Sequence, residues 1–391
     1  MAKTSPTTSL LSFLRNYPAL YRTLRYLYSE TTKAYSEILR TIIPRSVAFG
    51  LPKGCFSAHE LVLNGKVKGR VLLEKQEVAE FGKDSLVRLS TFGQDRHQPW
   101  PVFWSLHRDT RLVGPSLIQL NENKEACIEA MYGSPYFKGD ASYNYIAHSN
   151  PAYLEGNWTS IFCNWCRNEV CAYWHFIMDG LPRLALLNDL PEDTRILVPA
   201  NLESWKRELL DMLGLTGRYR ETHERHLRIE NYYFSSQTSM TGCYNPYAVN
   251  FLHSSLLPKA NLSYQGPRRF YIVREGWKRG VTNEEEVRSL FKRRGWELIA
   301  PEKLDVSSQI QLYKQAEAVC GMHGSAFTNL LWASPGCRVL ELVPENLISG
   351  AFECVAKVVH LHHSFLVCKS DSRYQITVDL PKLELALDKM S

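Results

Sequence analysis

Beyond about residue 150 the chain settles into a rhythm that leaves few folds open. "EVCAYWHFIMDGLPRLALLNDL" (169–190) repeats its apolar residues at helical spacing, "TRILVPA" is a short apolar run of strand character, "NLESWKRELLDMLGL" is helical again and "LRIENYYFSS" is strand-like. The pattern recurs further on. "RRFYIVRE" (268–275) reads as a strand, "TNEEEVRSLFKRRG" as a helix opened by a Thr cap and closed on Gly295, "WELIAPEKL" as a strand and "SSQIQLYKQAEAV" as a helix, leading into "VCGMHGSAFTNLLWASPGCRVLEL" (319–342). Strands that alternate with helices pack as a parallel sheet covered by its crossover helices, so two α/β units are expected.

The chain of 391 residues exceeds what one ordinary core organises, and its 45% hydrophobic share is ample for two. "LLPKANLSYQGP" (256–267) is the natural linker, which divides the chain into an N-terminal helical segment (1–48), a domain at 49–260 and a second domain at 261–391. Residues 50 to 150 carry short alternating runs such as "KGRVLLE" and "SLVRLST" between turn residues, the pattern of irregular β-structure, and no functional motif.

A net charge of +6 suits an anionic substrate or membrane surface and is too small and too dispersed for nucleic acid. No run of about 20 apolar residues is present, so no spanning helix is expected, and without a signal peptide the chain reads as cytoplasmic. Residues 9–41 place Leu, Phe and Tyr at helical spacing among Arg15, Arg22, Arg25, Lys33 and Arg40; such a helix either touches a membrane peripherally or packs on its own domain. Ten scattered cysteines do not form a disulfide scaffold. Cys163, Cys166, Cys171 and His175 resemble part of a zinc set, but no second C-x-x-C or H-x-x-x-H completes it.

Two constellations could carry chemistry. In 319–342 a strand, a glycine turn and a helix start gather free backbone N–H groups and a positive helix end at one point, as a phosphate requires. Gly321 and Gly324 would let a ligand approach, His323 and Ser325 could donate to it, and Glu341 could accept from a ribose; a plain tight turn is the competing reading. Arg274 at a strand end, with Lys278 and Arg279 beyond it, supplies the matching cations. The other constellation is "YWHFIMDGLPRL", where His175 and Asp179 share one helix face. The pair either moves a proton or only fastens the helix.

In this order the blocks resemble glycosyltransferase family 61. The resemblance rests on Tyr173, His175, Asp179, Leu181, Pro182, Arg183 and Leu184, then on Tyr271, Arg274, Arg279, Asn283, Glu284 and Glu286, then on Gln309 and Ile310. Gly321, His323, Gly324, Thr328, Asn329, Pro335, Gly336 and Glu341 complete it, and the first 150 residues remain unassigned. It implies a GT-B-like architecture of two Rossmann-like domains facing a cleft, with an N-terminal helical or mixed extension. The implied reaction is inverting transfer from a UDP-sugar, of the UDP-xylose or UDP-N-acetylglucosamine type, to a glycan or glycolipid hydroxyl in surface polysaccharide or glycan synthesis. Asp179 would be the base and His175 its partner or substitute. Arg274, Arg279, Gly321, His323, Gly324, Ser325 and Asn329 would hold the donor, Glu341 its ribose, and Tyr173, Trp174 and Arg183 the acceptor. The chain has no Asp-x-Asp, so no metal and no cofactor beyond the donor substrate is expected. Two rivals remain: a dinucleotide oxidoreductase, for which "GMHGSAF" lacks G-x-G-x-x-G, and a non-catalytic carbohydrate-binding or scaffold protein of the same fold.

Overall fold

The computed structural model describes residues 51–74, 84–89, 100–131, 143, 150–168, 171–238, 246–274 and 279–390. The basic stretch 9–41 and Lys278 lie outside these residues. Nine described strands form the first sheet: β1 (Cys55–Phe56), β2 (Gly69–Leu73), β3 (Val102–Val113), β4 (Ile118–Leu120), β5 (Ala126–Cys127), β6 (Ala152–Ser160), β7 (Arg195–Pro199), β8 (Tyr219–Thr222) and β9 (His226–Ser235). Their order is β1-β5-β4-β3-β9-β6-β7-β8, with β2 pairing with the first residues of β3.

Only part of this sheet is parallel. β9, β6, β7 and β8 run parallel, as the helix–strand rhythm requires, but β3 pairs antiparallel with β2, β4 and β9. The α/β expectation is met here by a mixed sheet, parallel on one side and antiparallel on the other. A correction concerns "SLVRLST". Leu86–Leu89 is a helical turn: Ser85 Oγ accepts from Arg88 N–H at 3.2 Å, and Val87 N–H donates to Glu353 Oε2 at 2.9 Å. A tertiary carboxylate and a local serine cap outweigh the alternation of so short a run.

The second sheet contains β10 (Arg269–Ile272), β11 (Glu297–Ile299), β12 (Ala318–Met322), β13 (Arg338–Pro344), β14 (His362–Ser370) and β15 (Ile376–Thr377), in the order β11-β10-β12-β13-β14-β15. All neighbours are parallel except β14 and β15. The helix Glu284–Arg293 is preceded by Asn283 rather than capped by Thr282; Asn283 exchanges hydrogen bonds with the backbone of Val378. The order reverses at β10, whose two neighbours carry the chain away in opposite directions. In open α/β sheets ligands bind beyond the carboxyl ends of the strands at such a reversal, here β10 and β12.

Period-two alternation divides the faces of this sheet. Tyr271, Val273, Cys320, Leu340 and Leu342 pack with Val287, Phe291 and Leu383, from the helices Glu284–Arg293 and Leu380–Asp388. Phe270, Ile272, Val319 and Val339 turn the other way, into a core that also contains Ile310, Leu330 and Val355 and continues into Phe176, Leu181, Ile196, Leu209 and Leu252 of the first unit. The two units thus share one apolar cluster. Among the described residues no helix is long and apolar enough to cross a membrane.

Gly350 marks a tight contact between the units, since a Cβ there would lie 2.5 Å from the Val87 Cα. Gly350→Ala should destabilise the protein by about 1–3 kcal/mol through overpacking. Gly280→Ala, which meets nothing within 4 Å, should leave the urea unfolding midpoint in place.

Candidate active site

The helix that begins at Tyr173 changes character twice. Tyr173–His175 is α-helical, Phe176–Gly180 is a π turn closed by Leu181 N–H on Phe176 O, and Leu181–Asp189 is a 3-10 helix with Pro182 in its first turn. Pro182 has no N–H to donate to an α-helical ladder, and the widened turn lies immediately before it. Within this turn His175 Nδ1 and Asp179 Oδ2 come to 2.6 Å. The Asp179 side chain is 0% exposed and that of His175 is 20% exposed. Trp165, at the tip of the tight Cys163–Cys166 turn, stacks on the His175 ring with centroids 5.4 Å apart and planes 17° apart.

Asp179 lies beneath the imidazole and engages Nδ1, so the exposed member of the pair is His175. The expected acceptor contacts also move inward. Tyr173 OH donates to Asn329 Oδ1 at 2.7 Å, Trp174 is buried edge-on to Phe352, and Arg183 is 2% exposed with Nη1 donating to Phe162 O at 2.9 Å. Tyr173 and Trp174 fasten this helix to the second unit, and Arg183 fastens its continuation to the first. Trp165, 43% exposed, is the aromatic beside His175 that sequence reasoning missed; its place in a Cys-x-x-Cys turn directly upstream was the available signal. The zinc reading has no geometry behind it: Cys166 and Cys171 sulfurs lie 3.0 Å apart while His175 turns to Asp179, and among the described residues no three His, Cys, Asp or Glu side chains converge as metal ligands.

On the donor side, Arg274 follows β10 and donates from Nη1 to His323 O, just past β12, at 3.0 Å. Gly324 makes this approach possible, because a Cβ there would sit 2.6 Å from Arg274 Nη1. Its glycine admits the arginine rather than a ligand directly. Gly321 likewise admits its neighbours, with a Cβ falling 2.9 Å from Ile272 Cβ and 3.1 Å from Phe327 Cε2. Burial and, after it, the positive charge of Arg279 bring the Arg274 guanidinium down to about 10, and burial lowers Arg279 as well. Two cations thus face one partly dry place. Ser325 opens the 3-10 helix Ser325–Trp332 at its edge.

Two expected donor contacts are instead internal. Asn329 is buried, donating to Gln309 Oε1 at 2.8 Å and accepting from Tyr173 and from Trp332 Nε1. Glu341 is the fourth residue of β13 rather than its end, and its side chain is 0% exposed. Its Oε1 meets His323 Nδ1 at 2.5 Å and its Oε2 meets His363 Nε2 at 2.9 Å, so no ribose can use it. Burial alone would raise this carboxyl, but the hydrogen bonds it accepts from His323 and His363 outweigh it and hold the group down at about 2. A carboxyl lowered on folding contributes stability that is present above its unfolded value, near 4.5, and lost as pH falls through about 2. The wild-type protein should therefore exceed Glu341→Gln in stability by on the order of 3 kcal/mol near pH 6. Urea unfolding followed from pH 6 to pH 2 should show that gap closing.

The geometry leaves two imidazoles, each seated on a buried carboxylate, together with two arginines at the switch point of a parallel sheet. Trp174 and His323 both pack on Phe352, with ring centroids 5.0 Å away in each case, so the two constellations meet through one side chain. No curated protein matches the chain. The family model described as Glycosyltransferase 61 matches residues 173–340, a span that contains both constellations up to the residue before Glu341. Over that segment, which is less than half of its length, the chain is similar to glycosyltransferase family 61.

Proposed function

We propose that the chain is an inverting, metal-independent transferase that moves a sugar from a UDP-sugar, of the UDP-xylose or UDP-N-acetylglucosamine class, to a hydroxyl of a glycan or glycolipid, on a GT-B-like plan. The reading rests chiefly on the switch point, where Arg274 lies against His323 O and Gly324. An arginine lowered by burial and, after it, by a second arginine gains from an anion, and the planar guanidinium suits the oxygens of a diphosphate. In a chain without Asp-x-Asp, these cations and His323 take the charge that a metal ion would otherwise carry.

The reaction then runs as one displacement. His175 Nε2 takes the proton of the acceptor hydroxyl while Asp179 holds Nδ1 and balances the imidazolium that forms. The acceptor oxygen bonds to the anomeric carbon as the bond from that carbon to the diphosphate oxygen breaks, and UDP departs with the electron pair. Arg274, Arg279 and His323 stabilise the leaving group.

His175→Ala should lower turnover by about 10²- to 10⁴-fold with UDP affinity retained. Near-normal transfer by that variant would remove His175 as the base. UDP should raise the melting temperature of the wild-type protein and not that of Arg274→Ala; equal shifts in both would show that the diphosphate lies elsewhere.

A further inference from the structure

The Glu341 site contains a group that the transfer mechanism has not used. β13 and β14 run parallel with Val339 opposite His363, which puts His363 on the same face as Glu341 and one step along from it. The His363 side chain is 5% exposed and Nε2 meets Glu341 Oε2, while Nδ1 is buried without a hydrogen-bond partner. A bare ring nitrogen is tolerable there, but an N–H at the same place would be a buried donor with nothing to bond. This geometry makes His363 neutral, with its proton on Nε2 and donated to Glu341. The counter-charge to the ionised carboxylate then belongs to His323, whose Nδ1 is taken by Oε1 and whose Nε2 remains for a ligand.

We propose that His363 is a positioning residue of the transfer reaction: through Glu341 it holds His323 as the imidazolium whose Nε2–H meets the departing diphosphate. The proposal rests on the donor reading above. A neutral His323 with its proton on Nδ1 would turn a lone pair toward the phosphate and repel it. The buried carboxylate against Nδ1 is the anionic partner that an imidazolium needs, and it stays oriented because both of its oxygens accept hydrogen bonds. Removing His363 leaves Oε2 buried and unsatisfied, which frees Glu341 to turn and loosens its hold on His323. His363 lies outside the matched segment 173–340, so this support comes from a part of the chain that the family match does not cover.

The test compares UDP with uridine, which share a base and ribose and differ in the diphosphate. Wild-type protein should bind UDP more tightly than uridine. His363→Phe should narrow that ratio by about tenfold or more, with uridine affinity kept and kcat lowered more than the KM for the acceptor. His363→Gln, which keeps an N–H within reach of Oε2, should restore most of the ratio. An unchanged UDP-to-uridine ratio in His363→Phe would overturn the proposal. Because the phenylalanine variant can also fail to fold, ring-¹⁵N NMR of the wild-type protein with UDP bound provides an independent reading. It should show His323 protonated on both nitrogens and His363 on Nε2 alone; a charged His363, or one protonated on Nδ1, would equally overturn the proposal. Wild-type protein that binds UDP no better than uridine would remove the diphosphate reading of the switch point itself, and this proposal with it.

Discussion

The rest of the structure depends on one apolar face. Phe270, Ile272, Val319 and Val339 of the second sheet are covered by Ile310, Leu330 and Val355, and the same cluster runs on into Phe176, Leu181 and Leu252 of the first unit. Joining the units through a shared core removes water from the space between them, so each polar group caught there must find its partner within the protein. Tyr173, Asn329 and Gln309 satisfy one another, His253 reaches the carbonyl of Leu331, and Tyr313 OH reaches that of Ala326. Much of the polarity of the motifs is therefore consumed in holding the helix from Tyr173 against the turn that follows β12.

What remains for chemistry has a common design on the two sides. Asp179 and Glu341 are both fully buried carboxylates, and each holds the Nδ1 of a histidine that lies nearer the surface. A carboxylate in that position fixes the tautomer and ring orientation and lowers the cost of a charged imidazole. One histidine follows β6 and stands beside the exposed indole of Trp165; the other follows β12 and stands beside Arg274. The same local chemistry thus supports two opposite tasks in the proposed reaction, removing a proton at one end and stabilising a leaving anion at the other.

Much of the fold was legible because periodicity reports burial directly. The strands at Arg195, His226, Arg269, Ala318 and Arg338, and the helices between them, follow from runs whose apolar residues fall on one face or on both. The reading failed where a distant partner decided the local structure. Leu86–Leu89 is helical because Ser85 caps it and Glu353, far along the chain, accepts from Val87. β3 turned the first sheet antiparallel on one side, since alternation does not say which neighbour a strand will choose.

The site divides in the same way. The sequence alone determined which residue types stand at the ends of β10 and β12, that His175 and Asp179 lie one helical turn apart, and that glycines flank His323, because these are matters of spacing along a chain of known periodicity. Only the tertiary structure decided which member of each pair is buried. It turned Asp179 and Glu341 inward beneath His175 and His323, sent Arg183 and Asn329 into internal hydrogen bonds, and brought His363 across from β14 to the free oxygen of Glu341. Exposure depends on what the rest of the chain lays over a residue, and that information lies in no local stretch of the sequence.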